Sequence, residues 1–171
     1  MIATNERFSD KGEWIDNFSD EFLIVCPKCA RMAKGLPVDN SEMLKRRKLI
    51  CSNCGYCKPT NISEGSGRTA SIAFSNQRNI KSYLVIGGAF DWYFQESLWL
   101  QTECCGETFW AYNKAHLKFI ENYVAATLRP RTPNINSSLA SRLPQWIKSA
   151  KNRDEILKAI GKLKEKLNGK P

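Results

Sequence analysis

Two short stretches decide the reading of this chain: Phe22-Leu23-Ile24-Val25-Cys26-Pro27-Lys28-Cys29 and Lys48-Leu49-Ile50-Cys51-Ser52-Asn53-Cys54-Gly55. Each is a β-type apolar run that delivers a Cys-x-x-Cys pair, and 21 residues separate the two pairs. A Cys-x-x-Cys turn points two sulfurs into one tetrahedral hemisphere. Gly55, just after the second cysteine of its pair, permits the tight turn with positive φ. If the flanking strands pair, the two knuckles close an S4 site over Cys26, Cys29, Cys51 and Cys54, a donor set that suits Zn²⁺. The same ligands also suit iron in a rubredoxin-like site. Four buried free thiols are the bland alternative. A thioredoxin-like redox motif lacks the βαβ pattern that would surround it.

Working outward, Lys45-Arg46-Arg47-Lys48 lies between the knuckles, and Cys57 follows Cys54 at another two-residue spacing, with Gly55 and Tyr56 between them. A knuckle slipped onto Cys57 is conceivable, but Gly55 favours Cys51 with Cys54. Residues 59–70 are small and polar, as a linker is. From residue 71 to 112 the pattern is strand-like and rich in aromatics. Leu98 to Glu103 alternates, Cys104-Cys105-Gly106 is a turn signal, and Glu107 to Tyr112 reads as the returning strand of a hairpin. Asn113 is placed to cap a helix from Lys114 to about Arg129, with Leu117, Ile120, Val124 and Leu128 on one face. Pro130 and Pro133 end it. Leu139, Leu143, Trp146 and Ile147 form one helical pattern in the tail, with Pro144 at a break or a first turn. Ile156, Leu157, Ile160, Leu163 and Leu167 form another.

The expected organisation is a polar lead-in over residues 1–20, a zinc ribbon over 21–58, an aromatic-rich α+β core over 71–129, and a basic helical tail over 130–171. The fold class is α+β: an N-terminal zinc ribbon packed with a small antiparallel sheet, followed by a helix and a basic helical C-terminal region.

The 171 residues carry 26 Lys+Arg against 17 Asp+Glu, a net charge of +9. That excess is concentrated: residues 21–60 hold eight basic and three acidic side chains, and residues 129–171 hold eleven and three. Lys158, Lys162 and Lys166 fall at i, i+4 and i+8, a stripe opposite the leucines whose like charges repel slightly. A solvated helix face is the plain account of it; a phosphate-contacting face is the sharp one. With Lys45, Arg46, Arg47 and Lys48, the stripe supplies candidate contacts to nucleic acid. Eleven of the eighteen aromatics lie between Tyr83 and Tyr123, which fits a base-stacking platform but fits a core better. Trp99 and Trp110 are the candidates for exposed rings.

Other functions find little support. No run approaches the roughly 18 apolar residues of a membrane span, and the polar N-terminus lacks the pattern of a signal peptide. The expectation is a cytoplasmic protein with reduced cysteines. Gly65-Ser66-Gly67-Arg68-Thr69 and Gly87-Gly88 match neither a phosphate loop nor a dinucleotide fingerprint. The zinc-deaminase signature is missing. Cys104 and Cys105, with His116 as the one available histidine base, form the candidate for a second metal site or a cysteine nucleophile. Buried thiols and a core histidine are the default for them. Asp91, Glu96, Glu103 and Glu107 are the acids a hydrolase would use, with no motif to single them out.

The unit containing Cys26-Pro27-Lys28-Cys29 and Cys51-Ser52-Asn53-Cys54-Gly55 resembles the zinc ribbon of the general transcription factor TFIIB and its bacterial relatives. It departs from that pattern in Ala30, where such knuckles often carry glycine, and in a longer spacer. The cyclin repeats of TFIIB have no counterpart downstream. Leu98-Trp99-Leu100-Gln101-Thr102, Phe109-Trp110-Ala111-Tyr112-Asn113 and Ser138-Leu139-Ala140-Ser141-Arg142-Leu143-Pro144 resemble small bacterial proteins described only as zinc-ribbon-containing. The resemblance implies the zinc-ribbon architecture and supplies no activity. From the cysteine spacing and the basic residues, the expected function is a non-catalytic zinc-binding protein that contacts nucleic acid or a nucleic-acid-processing complex. A protein-interaction adaptor using the ribbon or an aromatic face is the alternative, and a cysteine- or metal-dependent enzyme a third.

Overall fold

A computed structural model describes residues 7–38, 46–61, 88–129 and 138–169. They are α+β, with antiparallel strands, and divide into two compact units, residues 20–99 and residues 1–19 with 100–171. The strand-like run at Tyr83 to Ile86 and the linker beyond Asn61 lie outside the described residues.

The 20–99 unit is built on a four-stranded antiparallel sheet in sequence order: β1 (Phe22–Val25), β2 (Met32–Pro37), β3 (Arg46–Ile50) and β4 (Cys57–Asn61). Its register sets Phe22 opposite Gly35 and Gly35 opposite Leu49. The buried face therefore reads Phe22 and Ile24, Ala33 and Gly35, Arg47 and Leu49, as period-two alternation requires. Gly35 has a packing reason. A Cβ there would stand 3.0 Å from Ile24 Cδ1 and 3.4 Å from an edge carbon of Phe94, so only a hydrogen leaves room for the aromatic above it.

The outer edge of β1 is covered by the chain's return at 97–99. Val25 N–H donates to Ser97 O (2.8 Å) and Trp99 N–H to Leu23 O (2.9 Å). That segment belongs to a loop organised by Asp91, whose side chain is buried. Its Oδ1 accepts from Tyr93 N–H (2.9 Å) and Phe94 N–H (2.7 Å), and its Oδ2 from Glu96 N–H (2.8 Å). Burial raises the Asp91 pKa against those three donors. Its carboxylate is thus a loop staple rather than a catalytic acid. Asp91→Ala is expected to destabilise this unit by about 3 kcal/mol, because it strands N–H groups that partly lack access to water. Asp91→Asn, which keeps one acceptor oxygen, is expected to cost less. Urea midpoints followed by Trp92 fluorescence check the order.

In the second unit β5 (Leu100–Cys104) and β6 (Glu107–Ala111) form the expected hairpin. α1 (Lys114–Ala125) opens where Asn113 Oδ1 accepts from His116 N–H (2.9 Å). It ends four residues before the expected Arg129. Ala126 turns extended, and Arg129 folds back to donate to Val124 O (2.9 Å) while stacking on Tyr123. Leu128, expected on the buried face, is exposed. The tail supplies α2 (Leu139–Arg142), α3 (Gln145–Lys148) and α4 (Arg153–Leu167). The break falls at Leu143-Pro144, where proline serves as the residue before α3. α4 packs Ile156, Ala159, Ile160 and Leu163 inward, against β5 and α1.

The lead-in is also part of this unit. Phe8 sets its ring edge-on to Phe119 and Tyr123, Phe18 packs on Phe119, and Ser138 Oγ donates to Asp10 Oδ2. Nine of the described aromatics are buried as core, among them Phe109, Tyr112 and Phe119 here and Trp92 and Phe94 in the other unit. Trp99 and Trp110 are half-buried. No described helix is long and apolar enough to cross a membrane.

Candidate metal centre

The two knuckles are copies of one another in their hydrogen bonds. Ala30 N–H donates to Cys26 O and Gly55 N–H to Cys51 O, both at 2.9 Å. Cys26 N–H then donates to Arg31 O (2.8 Å) and Cys51 N–H to Tyr56 O (2.9 Å). Each closes with a left-handed residue at the same place, Ala30 with φ 56° and Gly55 with φ 71°. The alanine therefore keeps the glycine's conformation, at the roughly 1 kcal/mol cost of a Cβ in that region.

Pairing of β2 with β3 brings the knuckles together. Cys26 Sγ lies 3.7 Å from Cys54 Sγ, and Cys29 Sγ lies 3.6 Å from Cys51 Sγ. All four sulfurs fall within 4.8 Å of one another. A regular tetrahedron with metal–sulfur bonds of about 2.3 Å has edges of about 3.8 Å, so the cage has the size that a tetrathiolate metal needs. Cys26 and Cys51 are buried, and Cys54 is exposed.

The protonation states also favour a cation. Arg31 N–H, opposed by desolvation and helped by Asn53, holds the Cys29 thiol down at about 6. Tyr56 N–H favours the Cys54 thiolate, yet desolvation and the other three sulfurs outweigh it and push that thiol up to about 12. The sulfurs oppose one another's ionisation, and a bound cation would relieve that repulsion. Asn53 Nδ2 donates to Cys29 Sγ (3.5 Å) and Lys28 N–H to Cys26 Sγ (3.4 Å). Four cysteines close together at this position make the chain competent to hold a metal ion. Cys57 opens β4 opposite Ile50, exposed and outside the cluster, so the slipped knuckle is not formed.

The remaining candidates are scattered. Lys45 lies outside the described residues, and Arg46 is placed only as the first residue of β3. Lys48 is exposed on the same strand. Arg47 needs correction: it is wholly buried and turns away from any surface patch. Its guanidinium sits 4.6 Å from the Tyr93 ring centre and 5.5 Å from that of Phe22, and Nη1 donates to Asp20 O (3.2 Å). On α4, Lys158 and Lys162 are exposed and Lys166 is half-buried, with its pKa lowered by desolvation. Lys164, which the stripe omitted, pairs with Glu121.

His116 does not join Cys104 and Cys105. It is buried, stacked on Phe18 at 5.1 Å, and its Nδ1 accepts from Tyr112 N–H (3.3 Å). Desolvation lowers its pKa to about 3, so it is a neutral core residue and not a base for a thiol. The group beside the two cysteines is Glu155, whose Oε1 accepts from Cys105 N–H (2.7 Å). No local pattern marks it, since fifty residues separate the partners. Burial pushes the Cys104 thiol up to about 12; Cys105 and Glu155 add to this and Lys162 opposes it. Such a thiol is a poor nucleophile. Glu103 and Glu107 are exposed on the hairpin.

No family model matches the chain, and neither does any curated protein or solved structure.

Proposed function

We propose that this is a non-catalytic zinc protein in which a TFIIB-type ribbon over residues 21–58 presents basic residues to nucleic acid or to a nucleic-acid-processing complex. The observation that carries the reading is the four-sulfur cage of Cys26, Cys29, Cys51 and Cys54. Its edges match tetrahedral zinc, and four protein ligands leave no position for a substrate, as in structural zinc sites. The metal's task there is to hold two hairpins in one orientation.

The hairpins it holds carry exposed cations: Lys28 and Arg31 around the first knuckle, Lys48 on β3 and Lys58 on β4. Lys34 is exposed as well but is paired with Glu21 at 2.6 Å. These supply the charge for phosphate contacts, together with Lys45 and Arg46 of the same basic run. Lys158, Lys162 and Lys166 on α4 are a second set of candidates.

A salt titration of duplex and single-stranded DNA binding tests this. Wild type is expected to bind with an affinity that falls steeply as salt rises. A variant with Lys45, Arg46 and Lys48 replaced by glutamine is expected to bind more weakly, its log–log salt slope shallower by about 1 to 3. Arg47 is left in place because its replacement would disturb the core. Binding that is absent at low salt, or independent of salt, overturns the reading. That result turns attention to a protein partner, for which exposed Val38, Ile50 and Phe90 on the same unit are apolar anchors.

A further inference from the structure

Adjacent residues of a regular strand point to opposite faces, so a Cys-Cys dipeptide ordinarily keeps its sulfurs apart. The β5–β6 turn removes that separation. Cys105 and Gly106 link the paired residues Cys104 and Glu107 with φ of 56° and 76°. Two left-handed residues make the tight turn favoured by hairpins, whose first position normally holds asparagine, aspartate or glycine. Cysteine in that place is the unusual choice. Its consequence is that Cys104 Sγ and Cys105 Sγ stand 3.6 Å apart on one side of the hairpin tip.

A third ligand comes from the first turn of α4. Glu155 is held against the tip by the Cys105 N–H, and a carboxylate oxygen lies within 4.8 Å of both sulfurs. The sulfur spacing is close to the roughly 3.8 Å edge of a tetrahedral thiolate metal. The hydrogen bond from the Cys105 backbone fixes the Glu155 carboxylate beside the two sulfurs. Cys104 is buried, Cys105 half-buried and Glu155 exposed, so the tip has one rigid ligand and an open side.

We propose that Cys104, Cys105 and Glu155 form a second metal site, one that takes a thiophilic divalent cation such as Zn²⁺ or Cd²⁺ through two thiolates and a carboxylate. Three protein ligands leave the fourth tetrahedral position to solvent, unlike the closed four-cysteine cage. Binding forms two metal–sulfur bonds and one metal–oxygen bond, and both thiol protons pass to water. No oxidation state changes. Three anionic ligands leave the complex with a net charge of −1, and Lys162 beside Cys104 partly offsets it. The site does not depend on the four-cysteine cage being a zinc site.

Cadmium is the probe, applied to freshly reduced full-length protein, with bound metal counted after gel filtration and thiolate-to-metal absorption followed during titration. Wild type is expected to retain a second equivalent beyond that held by the four-cysteine cage. Cys105→Ser, a turn substitution that spares buried Cys104, is expected to lose that second equivalent and keep the first. Glu155→Gln is expected to weaken the second equivalent by about 10- to 100-fold. Cys57→Ser, which alters an exposed cysteine outside both clusters, keeps both. Saturation of wild type at the cage alone overturns the proposal, as does a second equivalent that Cys105→Ser binds with unchanged affinity. Loss of the first equivalent in Cys51→Ser with the second retained separates the two sites.

Discussion

Removal of metal from the four-cysteine cage is expected to unfold the β1–β4 sheet, and Cys51→Ser to do the same. The sheet's strands are four to six residues long. Its buried face rests on few apolar side chains: Phe22, Ile24, Ala33 and Leu49, with Arg47 among them. An assembly this small rarely folds on its core alone and needs a staple. Structural zinc typically contributes about 10–16 kcal/mol, more than the whole stability of most domains of this size. Cys51 is fully buried, and its sulfur stands 3.6 Å from that of Cys29. Serine there offers a hard, protonated oxygen where the metal needs a thiolate. The expected readout is loss of sheet signal in circular dichroism on adding a chelator, with recovery when zinc is restored. Cys57→Ser should behave as wild type. A Cys51→Ser protein that retains its sheet in chelator would mean that the metal is dispensable for the fold.

The cage was legible in the sequence because a knuckle is local. Cys26-Pro27-Lys28-Cys29 and Cys51-Ser52-Asn53-Cys54-Gly55 fix their own turns, and the apolar runs beside them declare the strands. Arg47 was misread for a reason that the alternation already contained. It stands two residues before Leu49, so a strand that buries Leu49 also turns Arg47 inward; the charge run hid that parity. The end of α1 was misplaced because the apolar period continues to Leu128, whereas the helix stops once Arg129 provides an alternative partner for the Val124 carbonyl. Glu155 beside Cys105 belongs to a contact between distant segments, which no window of sequence contains.

Burial of a charged group at one place and of a neutral titratable one at another gives the two units different sensitivities. Arg47 is buried in the 20–99 unit, where its aromatic neighbours Phe22 and Tyr93 meet the guanidinium face. The pH dependence of the 20–99 unit runs through its thiols and through buried Asp91, whose pKa burial raises. The other unit holds His116, and with it Glu121, whose pKa, against desolvation, is lowered by Lys164 and Lys118.

Acidification is expected to destabilise the unit containing His116 by about 1.4 kcal/mol for each pH unit between 6.5 and 3. The imidazole is 2% exposed, and desolvation lowers its pKa from 6.5 to about 3. Across that window the unfolded chain binds a proton that the native state refuses. Stability therefore rises with pH there: it is fully present above 6.5 and lost as pH falls toward 3. The full window amounts to about 5 kcal/mol, an order-of-magnitude figure. The ring is enclosed by Phe18, Trp110 and Tyr112, and its Nδ1 is committed as an acceptor to Tyr112 N–H. His116→Phe is the comparison. It fills the same space, leaves the Tyr112 N–H without its acceptor, and so costs about 1–3 kcal/mol at all pH values. Urea unfolding followed by tryptophan fluorescence should show His116→Phe less stable than wild type at pH 7. The gap should close, then reverse, as pH falls. Trp110, whose ring centre is 5.7 Å from that of His116, reports the event locally. Parallel stability curves for the two proteins between pH 6.5 and 3 would show that the buried imidazole carries no linkage.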